Sequence, residues 1–139
     1  MKCLIVRPPF ANYIVTGIKE TEYRNRKTNV RGRIGIIEAG IHEEPDGIRT
    51  QKVLGDVLLW DCIYNPDIGL FEWCLDCARE YKYPFKIVYK KGSIIWREVD
   101  YDGNLKAISL NTSYRFEVEE KRKKCCELEQ EFITKYTRR

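Results

Sequence analysis

A chain of 139 residues with 43% hydrophobic and 33% charged content fits one compact domain, because single cores commonly occupy ~100–150 residues, and it excludes disorder except at the ends. No run reaches the ~18 consecutive apolar residues of a membrane span. The N-terminal MKCLIVRPPF is broken by Arg7 and Pro8 before a signal-peptide core forms, which points to a cytoplasmic protein with free thiols rather than a disulfide scaffold.

Cys3 to Val6 is apolar enough for a short buried strand, and Pro8-Pro9 stops it because proline brings no ladder donor. Phe10, Ile14 and Ile18 then recur at helical spacing, predicting a helix near 9–17 with Gly17 as the left-handed residue past its end. From Lys19 to Arg24 a strand places Glu20, Glu22 and Arg24 on one face and Thr21 and Tyr23 on the other. A polar turn through Gly32 leads to a strand from Ile34 to Ala39, and Pro45, Asp46 and Gly47 mark a loop from His42 to Arg49.

VLGDVLLWDCI, from Val53 to Ile63, predicts a longer strand with a bulge at Gly55. Phe71, Cys74, Leu75 and Ala78 follow helical spacing and predict an amphipathic helix near 70–82. Three further strands are expected, Phe85 to Tyr89, Ser93 to Val99 and Ser113 to Val118. The turn signals Lys90-Lys91-Gly92 and Tyr101-Asp102-Gly103-Asn104 between them suggest antiparallel hairpins. Cys125, Leu128, Phe132 and Tyr136 predict a closing helix near 119–136.

The net charge of +4 is concentrated. Between Gly17 and Arg33, Lys19, Arg24, Arg26, Lys27, Arg31 and Arg33 stand against only Glu20 and Glu22. Two readings compete for this run: a Glu22–Arg24 pair on a solvated strand face, or one wall of an anion-binding cleft. Lys19 is a compact point charge suited to phosphate, and Arg24 offers a planar fork for phosphate or a plane on which a base stacks. Glu22 can orient either cation, accept from a base edge, or serve as a general base. Tyr13, Tyr23 and Trp96 are candidate stacking platforms, though aromatics are more often core, and Trp60 and Tyr23 are expected to pack inward.

Other constellations are weaker. Cys74 and Cys77 form a C-x-x-C that, with Cys62 and His42, matches zinc spacing poorly, and buried free cysteine is the better expectation. His42 is the sole histidine, which excludes a two-histidine ribonuclease mechanism. No nucleotide-binding glycine loop or nucleophile elbow occurs.

The apolar strand, Pro-Pro-Phe-Ala, the short helix and then Gly17, Lys19, Glu22 and Arg24 resemble the ASCH family (activating signal cointegrator homology). Its glycine-x-lysine-x-x-glutamate-x-arginine signature is matched here position for position. The resemblance implies a small β-barrel related to the PUA domains of RNA-modifying proteins, with a cleft at the signature and a role in RNA or nucleotide recognition. The family also includes a ribonuclease group and a group that hydrolyses the acetyl amide of acetylcytidine. The latter uses a threonine nucleophile where this chain has Glu22, and Thr21, one residue away, points to the opposite strand face.

The expectation is therefore an α+β protein: a PUA-like, mostly antiparallel β-barrel over 1–118 with peripheral helices, and a C-terminal helical extension over 119–139 packed on it. Its cleft would hold single-stranded RNA or a modified nucleotide through Lys19, Glu22 and Arg24, with Arg7, Asn12, Arg26 and Lys27 at the rim. The alternatives are an enzyme on RNA or a nucleoside that uses Lys19 and Glu22 catalytically, and a protein-interaction module. No metal or organic cofactor is required.

Overall fold

The computed structural model describes residues 1–92 and 95–100, together with Glu127, Leu128, Gln130, Glu131 and Thr134. The ordered elements are β1 (Lys2–Val6), α1 (Phe10–Val15), β2 (Thr21–Arg24), β3 (Gly32–Glu43), β4 (Arg49–Asn65), β5 (Leu70–Val88) and β6 (Trp96–Glu98). They form one six-stranded sheet in the order β2-β5-β4-β3-β1-β6. Every pairing is antiparallel except that of β1 with β3, which α1 and β2 connect as a crossover.

Side-chain contacts show that this sheet curls. Arg24 on β2 donates to the carbonyl of Ile5 on β1, although three strands lie between β2 and β1 in the sheet order. Trp73 of β5 stacks on Trp96 of β6, with centroids 5.7 Å apart and planes 11° from parallel. The result is a half-barrel, mostly strand, consistent with the barrel that the family resemblance implies. Bulges supply the curvature: β4 and β5 lose register between Val53 and Gly55 and twice more before Asp61.

The core follows the strand period of two. Leu4, Val6, Ile34, Ile36, Val57, Leu59, Trp73 and Leu75 line the concave side with Ala11, Ile14 and Val15 of α1. Cys3, Ile37, Val53, Tyr81, Ile87 and Val99 form a second buried cluster. Gly55 is what lets the helix approach. A Cβ there would lie 2.9 Å from Val15 Cβ and 2.1 Å from the Arg79 carbonyl oxygen, so the residue is small because both neighbours close on it.

Several expectations are corrected. The segment expected as a helix near 70–82 is the first part of β5. Its apolar residues Leu70, Trp73 and Leu75 are buried as rungs against β4, with Trp73 opposite Cys62 and Leu75 opposite Leu59. Trp60, expected in the core, is 54% exposed, because a register shift between Leu59 and Asp61 leaves it unpaired on a bulge. The strand after the Lys90-Lys91-Gly92 turn does not form a hairpin with β5. Instead β6 pairs with β1 on the far side of the sheet. The loop expected from His42 to Arg49 is a short turn, since β3 runs to Glu43 and β4 starts at Arg49.

The expected strand at Ser113 to Val118 and the turn at Tyr101 to Asn104 lie outside the described residues. Of the closing helix expected near 119–136, only Glu127, Leu128, Gln130, Glu131 and Thr134 are described, and a C-terminal helix is not shown. Leu128 is described, and it packs against the small cluster of Tyr13 and Ile18.

Candidate ligand cleft at the end of the first helix

The geometry of the candidate site begins with the way α1 ends. Gly17 takes a positive φ of 79°, which a residue without Cβ adopts freely. Its N–H donates to the Ile14 carbonyl at 3.1 Å, and the Lys19 N–H donates to the Tyr13 carbonyl at 2.9 Å. The backbone of Lys19 is thus tied to the last turn of the helix. One residue later the chain enters the sheet, where the Leu75 N–H donates to the Glu20 carbonyl and β2 pairs with β5, Glu22 opposite Trp73 and Arg24 opposite Phe71.

These two anchors bring three charged side chains together. Lys19 Nζ lies 3.6 Å from Glu22 Oε1, and Arg24 Nη2 donates to Glu22 Oε2 at 3.1 Å and to the Ile5 carbonyl at 3.0 Å. The Lys19 and Glu22 side chains are almost completely covered, at 3% and 9% exposure, whereas Arg24 retains 24%. Aromatic rings complete the enclosure. Lys19 Nζ sits 5.3 Å from the Phe10 ring centre and 5.2 Å from that of Tyr23, and the Arg24 guanidinium lies 5.7 Å from Trp73. Cation–π contacts of this kind grow stronger as water is removed.

The carboxylate of Glu22 therefore has both oxygens engaged by cations. The solvated-face reading of the Glu22–Arg24 pair fails on burial: Glu22 is an enclosed strut, and Arg24 is the member of the trio that reaches the surface. Replacing either cation would leave a buried charge short of a partner, which is what makes such clusters sensitive to single substitutions.

The expected rim residues have a looser relation to the trio. Arg7 follows β1 and Asn12 lies on α1, and both are exposed. Arg26 and Lys27 are also exposed, in the segment that follows β2. No hydrogen bond or ion pair among the described residues joins any of the four side chains to Lys19, Glu22 or Arg24. The backbone of this segment is nevertheless fixed to β5 beside the trio, since the Trp73 indole N–H donates to the Arg26 carbonyl at 3.0 Å. Tyr13 is buried, Tyr23 is partly covered against Lys19, and Trp96 is half-buried behind Trp73.

A second polar cluster was not anticipated as a unit. Asp56 is fully buried and accepts from Arg79 Nε at 2.7 Å, Arg79 Nη2 at 3.0 Å, Arg33 Nη1 and the Tyr81 hydroxyl. It ties β3, β4 and β5 together beside the Gly55 bulge. One sequence signal for it is a lone acid inside an apolar strand, VLGDVLLW. Of the C-x-x-C pair, Cys77 is exposed and Cys74 half-buried, and burial, followed by the nearby charges of Asp61 and Glu72, raises the Cys74 thiol pKa. That keeps it protonated and unreactive at neutral pH. Among the described residues no helix is long and apolar enough to cross a membrane.

The family model of the ASCH domain matches residues 4–131 of the chain. No curated protein matches it.

Proposed function

Because the chain belongs to the ASCH domain family, we propose that it binds RNA, as a single strand or a modified nucleotide, at the cleft built by Lys19, Glu22 and Arg24. The observation that carries this reading is the division of labour within the trio. Lys19 and Glu22 are covered and paired with each other, and Glu22 also holds Arg24, the one member of the trio whose side chain keeps substantial exposure, at 24%. A planar fork fixed in this way matches a phosphate or a base edge at little entropic cost. Exposed Arg26 and Lys27 add positive charge beside it, while Lys19 acts by positioning Glu22 rather than by meeting phosphate itself.

Catalysis receives less support. Both oxygens of Glu22 are occupied by cations, so it is poorly disposed to accept a proton from a substrate. Thr21 lies on the neighbouring position of β2, on the other strand face. Fluorescence anisotropy of a short labelled single-stranded RNA tests the binding reading. Arg24→Ala is expected to weaken binding more than about tenfold (~1.4 kcal/mol), and Arg24→Lys to restore little of it, because an ammonium lacks the fork. Equal binding by wild type and Arg24→Ala, both folded, would remove the cleft as the RNA site.

A further inference from the structure

We infer that the cleft extends across β5 to a second base-binding position at Tyr64, so that its ligand is a single strand of two or more nucleotides rather than an isolated nucleoside. This rests on the cleft reading above and adds to it the length and single-strandedness of the ligand.

The register places the extension. Arg24 on β2 is directly opposite Phe71 on β5, and Phe71 is directly opposite Tyr64 on β4. Residues directly opposite in antiparallel strands project from the same face. Arg24, Phe71 and Tyr64 therefore form one row across three strands, on the face that also carries Glu22 and Trp73. Its two rings are in contact, with the Tyr64 and Phe71 centres 5.1 Å apart at an interplanar angle of 54°, and the Arg24 guanidinium lies over the neighbouring Trp73 ring on the same face. Phe71 packs against the concave core, which holds its ring in place, while Tyr64 is 52% exposed at the outer end.

A cation, a fixed ring and an exposed ring in this order are the components that single-strand binders use, in which successive bases stack on aromatic faces while cations follow the backbone. Strand spacing sets the length of the ligand. Neighbouring strands lie ~4.8 Å apart, so Tyr64 stands about two strand spacings from Arg24, a separation that calls for two nucleotide steps rather than one. The charges beside the row suit a polyanion. Arg26 and Lys27 are exposed on the segment whose backbone is bound to Trp73, and the nearest acid on β5, Glu72, alternates to the other face and accepts from Asn65 at 3.1 Å.

The test compares cytidine 5′-monophosphate with a labelled five-nucleotide cytidine strand, on wild type, Tyr64→Ala, Tyr64→Phe and Arg24→Ala. Tyr64 is exposed, so its variants are expected to fold as wild type does, and circular dichroism checks this. The extension predicts that the five-nucleotide strand binds wild type more tightly than the mononucleotide does, and that Tyr64→Ala loses about tenfold on the strand with little change on the mononucleotide. Tyr64→Phe keeps the ring and keeps the affinity. If Arg24→Ala abolishes strand binding while Tyr64→Ala leaves it unchanged, the extension is overturned and the cleft reading stands. Loss with Tyr64→Phe equal to that with Tyr64→Ala overturns stacking as the basis. Failure of wild type to bind either probe overturns both readings together.

Discussion

Asp56 is fully buried, and two guanidinium groups and a phenol hydrogen-bond to its carboxylate. The arrangement is demanding because a buried ion pair stabilises only while all its partners are in place. In Asp56→Ala, Arg33 and Arg79, each about one-third exposed, lose their shared counter-ion, and the buried Tyr81 hydroxyl loses its acceptor; leaving such a buried donor unsatisfied costs about 1–3 kcal/mol. Urea denaturation is expected to show the midpoint of Asp56→Ala shifted down by that cost divided by the m-value. Arg33→Ala should cost less, since Arg33 is about one-third exposed and Arg79 still holds both carboxylate oxygens. Equal midpoints for wild type and Asp56→Ala would mean that the cluster is neutral to stability. At this scale the sequence revealed candidates but not partnerships. Lys19, Glu22 and Arg24 stand out by spacing, whereas the partners of Asp56 come from strands 23 and 25 positions away, and no local pattern announces them.

Among the elements, the β3–β4 turn shows how a surface contact fixes a hairpin to its neighbour. Glu44 accepts from the Thr50 hydroxyl at 3.0 Å and pairs with Lys86 of β5 at 2.9 Å, and these hydrogen bonds, that of Lys86 foremost, lower its pKa. A carboxyl whose folded pKa is depressed contributes stability above its unfolded value, about 4.3 for glutamate, and loses that contribution as pH falls through the folded value. The difference in urea midpoint between pH 7 and pH 3 should therefore be smaller in Glu44→Gln than in wild type; an unchanged difference would show that the contact is screened away. The same scale shows why β5 was misread. Phe71, Cys74, Leu75 and Ala78 satisfy a helical period, while Phe71, Trp73 and Leu75 satisfy a period of two just as well over so short a run. What decides between them is the facing strand: β4 offers Cys62 and Leu59 to Trp73 and Leu75, and that tertiary pairing outweighs local spacing. By contrast α1 and the Gly55 bulge were legible, because prolines, Gly17 and an isolated strand glycine each act through backbone geometry alone.

For the whole molecule, the curl of the sheet sets the salt dependence expected of the proposed RNA binding. Because the half-barrel folds Arg24 back onto Ile5 and seals Lys19 beneath Phe10 and Tyr23, much of the basic run seen in the sequence does not face solvent as a charged strip. Lys19 is neutralised by Glu22, Arg33 by Asp56, and Arg31 lies 3.8 Å from Asp61. On the proposed reading, Arg24, Arg26 and Lys27 remain to meet phosphates. Each phosphate neutralised on a single strand contributes about −0.7 to the slope of log K against log salt, so three contacts give about −2. A protein that tracked the backbone with all six cations of the run would give a slope near −4 by the same relation. Anisotropy titrations between about 50 and 200 mM salt separate these values, and Lys27→Ala should make the slope shallower by about 0.7 without changing the preference among bases. A slope near −4 would show that the cations paired in the structure are released on binding. A slope near zero would mean that base stacking and hydrogen bonding, with Arg24 acting on a base plane rather than a phosphate, account for the affinity.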